Sequence, residues 1–177
     1  MLEINFMLLD WIQQLHTPLL DTMMIFFSAL GSAGAIWILL GIALSCFRTH
    51  RQTAILLIMA LAIEMIVCNG VLKPFFDAPR PFELNPAVTM LIDRPLDASF
   101  PSGHTAAAFC AVTALYLAKE KYWYIALLPA ILIAFSRLYL YVHFPTDILG
   151  GILTGACSAF AAYLLYTRYW GAALKRS

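Results

Sequence analysis

The fold is decided by an apolar run at residues 53–76, TAILLIMALAIEMIVCNGVLKPFF, in which Glu64 and Lys73 are the only charged residues. About 20 apolar residues are enough for a helix to cross a bilayer core, so this run predicts a membrane-spanning helix. An ionisable group such as Glu64 is costly at mid-membrane depth and is a candidate functional residue there. We expect Glu64 mainly to form a hydrogen bond inside a helix bundle, with a direct part in chemistry as the lesser alternative.

Apolar runs on both sides of this segment extend the pattern along the chain. The 177 residues are 62% hydrophobic and 12% charged, which lies well outside the composition of soluble domains. The chain is therefore predicted to be an all-α integral membrane protein, a single domain over 1–177 with a bundle of five to six transmembrane helices. The first span is long enough to bend, and the bend is expected at Gly31 and Gly34. The predicted spans are 19–47, 53–76, 102–118, 123–140 and 147–168.

The N-terminal segment, residues 1–18, has a different pattern. Leu2, Phe6, Leu9 and Ile12 alternate with polar side chains between residues 2 and 16. That pattern predicts an interfacial helix that lies on the membrane. A sixth crossing by this segment is the weaker alternative, because the segment is short and polar.

Lysine and arginine counts predict how the bundle is oriented. The end that carries more of them is expected to face the cytoplasm, together with the C-terminus. That end holds Arg48, Arg51, Lys119, Lys121, Arg168, Lys175 and Arg176. The opposite end holds Lys73, Arg80, Arg94 and Arg137.

Three short polar blocks interrupt the apolar sequence at this second, outward end. They are Lys73-Pro-Phe-Phe-Asp-Ala-Pro-Arg80-Pro81, Pro101-Ser102-Gly103-His104 and Ser136-Arg137-Leu-Tyr-Leu-Tyr-Val-His143-Phe-Pro-Thr-Asp147. Lys73, Arg80 and Arg137 can converge on one anion, with arginine providing forked donors. Ser102 and Gly103 begin a predicted helix, whose N–H groups and positive dipole end favour the same anion.

The two histidines of these blocks suggest a division of roles. Asp147 follows His143 by four residues and can accept one imidazole N–H, which leaves the other nitrogen free to attack. His104 is then the candidate general acid for the leaving oxygen. Because one imidazole must be neutral and the other cationic, we expect a bell-shaped pH–rate profile.

Each of these residues has a plainer explanation when it is considered alone. Lysine, arginine and tyrosine at helix ends are usually interfacial anchors, and single histidines are usually structural. The functional interpretation depends on all of these groups occurring at one end of the bundle. A zinc site is a poor explanation, because His104 and His143 are far apart and lack a third ligand at a usual spacing. No basic run is long enough to predict nucleic-acid binding.

The blocks resemble the tripartite signature of the type 2 phosphatidic acid phosphatase superfamily, K-x6-R-P, P-S-G-H and S-R-x5-H-x3-D, over residues 73–147. The resemblance implies that His143 is a nucleophile forming a phosphohistidine, with Asp147 as its partner and His104 as the acid. It also implies phosphatase activity without a metal or other cofactor. The residues it implies for phosphoryl binding are Lys73, Arg80, Ser102, Gly103 and Arg137.

The substrate is less well determined by the sequence. An outward-facing site in a compact, bacterial-looking membrane chain favours undecaprenyl diphosphate, hydrolysed to the monophosphate at the periplasmic or exterior face of the plasma membrane. Phosphatidylglycerophosphate and phosphatidate are the alternative substrates. A non-catalytic lipid-phosphate binder or transporter is a more remote alternative, and the oligomeric state is left open.

Overall fold

The computed structural model describes residues 2–174, which form helices and connecting loops with no strand in that range. The basic residues Lys175 and Arg176, which entered the orientation argument, lie outside the described residues. The α-helices, in chain order, are α1 Leu2–Gln13, α2 Pro18–Leu30, α3 Ala35–Ser45, α4 Arg51–Met65, α5 Lys73–Phe76, α6 Pro81–Leu84, α7 Gly103–Leu117, α8 Leu127–Tyr139 and α9 Pro145–Leu174.

The predicted bend in the first apolar segment is present. A short 3-10 turn, Ser32–Gly34, separates α2 from α3, and the two halves are bent by 50°. Ala33 and Gly34 have positive φ values of 49° and 68°, which end one helix and start the next in a new direction. The bend opens the bundle beside the N-terminal end of α7.

The described helices match the predicted apolar segments. Two are long and apolar enough to cross a membrane, Arg48–Leu84 and Pro145–Tyr169, and the bent pair Pro18–Leu30 and Ser32–Ser45 makes a third if it counts as one span. Two further apolar helices, Gly103–Leu117 and Trp123–Tyr139, are shorter. Within Arg48–Leu84, a π-helical stretch at Ile66–Leu72 joins α4 to α5.

Helices α7 and α9 pack closely through small residues, as the Gly151-x-x-x-Gly155 spacing predicts. A Cβ atom added to Gly151 would lie 2.7 Å from the carbonyl oxygen of Ser102, and one added to Gly155 would overlap the carbonyl of Ala106. Glycine is therefore required at both positions for this approach of the two backbones. The contact holds the start of α7 against the start of α9.

Helix α1 is short and lies against the same end of the bundle. Its 12 residues extend about 18 Å, which is less than the ~30 Å hydrocarbon core. Asn5 donates to the Thr146 hydroxyl at 3.2 Å, and Gln13 donates to the Tyr139 carbonyl at 3.0 Å. These contacts fasten α1 to the end of α8 and the first turn of α9. An interfacial position for α1 remains a prediction.

Candidate active site

The first polar block turns sharply after α5. Asp77 ends that helix with a φ of 39°, and the chain then continues to Arg80, which precedes α6. The Arg80 side chain is only 2% exposed. Its Nη1 donates to the Val142 carbonyl at 2.8 Å and lies 3.3 Å from Nε2 of His143. The guanidinium therefore links the first polar block to the third.

A carboxylate from the loop before α7 joins the two cations of the first block. Asp97 Oδ1 accepts from Arg80 Nη2 at 2.7 Å, and its Oδ2 accepts from Lys73 Nζ. Partial burial opposes ionisation, but hydrogen bonds and positive charge from Lys73 and Arg80 outweigh it and lower the pKa of Asp97 to about 2. Asp97 is therefore an anion at any physiological pH.

His143 is placed by an unusual turn at the end of α8. Tyr141 has a φ of 57°, a left-handed conformation that costs energy for a residue with a side chain. Its buried hydroxyl donates to Asp10 at 2.9 Å and accepts from Asn85 at 3.1 Å, and these bonds stabilise the turn. The result is that His143, 1% exposed, is directed into the bundle rather than toward solvent.

The contacts of His143 determine its tautomer. A guanidinium only donates hydrogen bonds, so Nε2 of His143 faces Arg80 with a lone pair and the ring proton is on Nδ1. Nδ1 lies 3.4 Å from Asp147 Oδ2, longer than a usual hydrogen bond, and 3.4 Å from the Ser99 hydroxyl. Burial, followed by the charges of Arg80 and other cations, holds the pKa of His143 well below its ordinary value. The imidazole is therefore neutral at pH 7, with its basic nitrogen beside Arg80.

Asp147, in the first turn of α9, is itself fixed by hydrogen bonds. Its Oδ2 accepts from the Ser99 hydroxyl at 2.6 Å and from the backbone N–H of Phe144 at 2.8 Å. The carboxylate thus holds the loop that carries His143 as well as facing its ring.

The second block begins α7, as predicted, with Ser102 as the N-cap. The Ser102 hydroxyl is fully buried and accepts hydrogen bonds from the N–H and the hydroxyl of Thr105. Its side chain therefore caps the helix in this structure. A Cβ atom added to Gly103 would lie 3.8 Å from Lys73 Nζ, so the start of α7 closely approaches the first block.

His104 and Arg137 approach the same region from α7 and α8. Both are within electrostatic range of Arg80, and His104 also of Lys73 and His143. His104 Nε2 and Arg137 Nε are buried and have no hydrogen-bond partner among the described residues. Arg137 Nη1 donates to the Ser28 hydroxyl on α2. These two side chains retain hydrogen-bonding capacity that this structure does not use.

A cavity of about 480 Å³ lies beside this region, between α3, α4 and α7. Its polar end is lined by Lys73, Asp97, Gly103 and His104, and its remaining wall is largely apolar. Glu64 also lines it, 4% exposed, with an Oε1 that lacks a hydrogen-bond partner among residues 2–174. The apolar wall includes Gly31, Ala33, Gly34, Ile38, Ile58, Leu61, Ala62, Met65 and Ala107.

Asp97 and Ser99 are site residues that were not predicted from the sequence. Both lie in the proline-rich loop before α7, where no periodicity indicates which side chain turns inward. The only available signal was their position, three to five residues before Ser102. Across the described part of the chain, no group of three or more His, Cys, Asp or Glu side chains is arranged to hold a metal ion.

The all-helical fold of the described residues agrees with the family comparison. The PAP2 superfamily model matches residues 53–170, and the chain belongs to this family of phosphatases. The chain is 32% identical over 142 residues to an undecaprenyl-diphosphatase of Sulfolobus acidocaldarius, covering 80% of this chain and 68% of that protein.

Two solved structures are similar over most of their length. The crystal structure of Aquifex aeolicus LpxE is 37% identical, with a TM-score of 0.78 over 90% of this chain and 94% of that one. A transmembrane PAP2 type phosphatidylglycerolphosphate phosphatase from Bacillus subtilis is 26% identical, with a TM-score of 0.74 over 94% and 86%. The expectation of an all-helical membrane phosphatase is confirmed.

Proposed function

We propose that this phosphatase hydrolyses a lipid diphosphate, undecaprenyl diphosphate, to the lipid monophosphate and inorganic phosphate through a phosphohistidine on His143. The observation that carries the proposal is the position of the His143 ring. Its Nε2 is a buried, unprotonated nitrogen 3.3 Å from Arg80, and its Nδ1 faces Asp147. A neutral imidazole whose free nitrogen lies next to a fixed cation is suited to attack a phosphorus atom whose oxygens bind that cation.

In the first half-reaction, Nε2 of His143 forms a bond to the terminal phosphorus, and the bond from that phosphorus to the bridging oxygen breaks. Lys73, Arg80 and Arg137 neutralise the phosphoryl oxygens, and the N-terminus of α7 at Ser102 and Gly103 contributes its N–H groups. His104 donates a proton to the bridging oxygen, so the lipid monophosphate leaves. Asp147 stabilises the positive ring of His143 that forms.

In the second half-reaction, water attacks the phosphohistidine. His104, now neutral, accepts a proton from that water as the oxygen–phosphorus bond forms and the nitrogen–phosphorus bond breaks. Inorganic phosphate is released, and both histidines return to their starting protonation states. No step of this sequence uses a metal ion or another cofactor.

The cavity supports a lipid as the substrate. It runs from Lys73 and His104 along an apolar wall formed by α3, α4 and α7, and the bend between α2 and α3 borders it. A phosphate at the polar end would have its hydrocarbon chain in this apolar slot. The undecaprenyl-diphosphatase relative favours a prenyl diphosphate, and the similar phosphatidylglycerolphosphate phosphatase structure favours a glycerophospholipid phosphate as the second candidate.

We place the reaction at the outer face of a bacterial plasma membrane, in a single domain whose C-terminus is cytoplasmic. Arg48, Lys119 and Lys121 belong to turns at the end of the bundle opposite the candidate site. Glu120 connects these turns, because it accepts a hydrogen bond from Thr53 and pairs with His50 at 2.9 Å. The basic residues of these turns favour a cytoplasmic position for that end.

The test is phosphate release by the detergent-solubilised full chain in EDTA, with undecaprenyl diphosphate, phosphatidylglycerophosphate and phosphatidate compared at equal concentrations. We expect undecaprenyl diphosphate to have the highest kcat/KM. A higher value for phosphatidylglycerophosphate would assign the second candidate instead. Binding of these lipids with no phosphate release would contradict an enzymatic function and support a binder or transporter.

The matched variants are His143→Ala and His16→Ala. His143→Ala is expected to abolish phosphate release while lipid binding persists. His16, near α2 and paired with Asp21 at 2.9 Å, is outside the proposed site, so His16→Ala should retain turnover. A near-normal rate in His143→Ala would rule out the phosphohistidine.

A further inference from the structure

Asp97 has no role in the reaction described above, although it contacts two of the proposed phosphate ligands. Its carboxylate accepts from Arg80 Nη2 at 2.7 Å and from Lys73 Nζ. Those two donors belong to the same cluster as His143, because the other terminal nitrogen of Arg80 lies 3.3 Å from His143 Nε2. The carboxylate therefore occupies two donors that phosphoryl oxygens would need during attack by His143.

A carboxylate in this position stabilises the cations of the site. The side chains of Lys73 and Arg80 are 8% and 2% exposed, and buried charges without a partner are costly. Repulsion between them is offset while Asp97 contacts both. A bound phosphoryl group brings its own negative charge and offsets the same repulsion, so the carboxylate of Asp97 is then not required.

The surroundings of Asp97 allow its side chain to leave without disturbing Arg80. The Asp97 side chain is 53% exposed, so it lies on the solvent side of the two buried cations. Its backbone carbonyl separately accepts from Arg80 Nε at 2.8 Å, and the Val142 carbonyl accepts from Nη1. Both of these bonds are independent of the carboxylate. Rotation of the Asp97 side chain would therefore free Arg80 Nη2 and Lys73 Nζ while the guanidinium keeps its position.

We propose that Asp97 is a positioning residue that holds Lys73 and Arg80 between turnovers and competes with phosphate for them. The substrate phosphoryl group displaces the carboxylate, and the carboxylate returns as inorganic phosphate leaves. Asp97 thereby weakens product binding and promotes phosphate release. The proposal rests on the proposed function of Lys73 and Arg80 as phosphoryl ligands.

The test is equilibrium binding of inorganic phosphate to the detergent-solubilised full chain, measured by calorimetry on wild type, Asp97→Asn and Asp93→Asn. The asparagine at 97 keeps the backbone carbonyl that holds Arg80 and removes only the competing charge. Asp93→Asn removes the same charge from an exposed position in the same loop. We expect Asp97→Asn to bind phosphate on the order of tenfold more tightly than wild type, and Asp93→Asn to match wild type.

A second measurement covers the case in which Asp97→Asn weakens the fold. Without phosphate, the thermal unfolding midpoint of Asp97→Asn should be below that of wild type. Saturating phosphate should close most of this difference, because phosphate stabilises the folded state and binds Asp97→Asn more tightly than wild type. A carboxylate with only a structural role would leave the difference unchanged. Phosphate affinity in Asp97→Asn equal to or weaker than in wild type would overturn the proposal.

This test does not depend on identifying the lipid. Inorganic phosphate is the probe, and its binding is measured without turnover. Failure of wild type to hydrolyse any lipid phosphate would count against the proposed function alone. Unchanged phosphate affinity in Asp97→Asn, with wild-type turnover intact, would count against the competition by Asp97 alone.

Discussion

Arg80 is the residue at which a conservative substitution is most informative. Arg80→Lys keeps the positive charge but replaces a forked group with a single ammonium. In the structure the guanidinium contacts the Val142 carbonyl at 2.8 Å, His143 at 3.3 Å and both the backbone and the side chain of Asp97. A lysine ammonium cannot reproduce these contacts and also bind a phosphoryl oxygen.

The size of the effect follows from the bonds that are lost. The bond to the Val142 carbonyl is present in the free enzyme, so only the charge-assisted hydrogen bond to the phosphoryl group is counted. At about 1.5–3 kcal/mol, its loss is a decrease of roughly 10- to 10²-fold in kcat/KM. Displacement of His143 from its position beside Arg80 acts in the same direction.

The assay is phosphate release from undecaprenyl diphosphate by Arg80→Lys, with Arg94→Lys as the matched control. Arg94 lies in the loop after α6, 5.6 Å above the Phe82 ring, and makes no contact with the proposed site in the described structure. Its substitution should leave the rate within a few fold of wild type. Arg80→Lys with a kcat/KM within threefold of wild type would refute the proposed part of the guanidinium.

Further predictions concern proton affinity, packing and the cavity. The lowered pKa of His143 keeps its ring neutral as the pH falls, so the acidic limb of the pH–rate profile should lie below about pH 6.5. NMR of histidine-labelled protein separates this limb from titration of the substrate. A His143 ring that is protonated at pH 6.5 would contradict the prediction. Gly155→Ala should destabilise the α7–α9 contact by about 1–3 kcal/mol and lower the thermal unfolding midpoint. Gly70→Ala should leave the midpoint unchanged, because no atom lies within 4 Å of the added Cβ. Equal midpoints for the two variants would refute the close packing of α7 on α9. Ala62→Phe should narrow the cavity and raise the KM for a long-chain lipid diphosphate, but not for a water-soluble phosphate ester. The control is Ala161→Phe at an exposed position of α9, and an equal effect of that variant would argue against the cavity as the lipid slot.

Features that depend on local chemistry could be predicted from the sequence. Gly31 and Gly34 predicted the bend of the first segment. Gly34 provides the positive φ that the change of direction needs, whereas Gly31 has an ordinary φ of −82°. The glycine spacing at Gly151 and Gly155 predicted a close helix contact, and Ser102 was recognised as the start of a helix. Each of these inferences uses neighbours within a few residues in the chain.

Features that depend on distant contacts could not be predicted in the same way. Asp97 lies 24 residues from Lys73 and 17 from Arg80, and nothing in a proline-rich loop indicates which side chain contacts these cations. Ser99 contacts Asp147 across 48 residues for the same reason. Anion binding by the backbone N–H groups at Ser102 and Gly103 stays a prediction. The Ser102 hydroxyl caps α7, because Thr105 lies one turn away and provides two donors.

Formation of a covalent phosphohistidine is the decisive point. Wild-type protein mixed with a prenyl diphosphate carrying a radiolabelled terminal phosphate, and quenched within one turnover, should acquire label that is stable in alkali and lost in acid. Peptide mapping should locate the label at His143, and His143→Ala should acquire none. Label on another residue, or turnover of wild type with no labelled protein at any quench time, would contradict the mechanism.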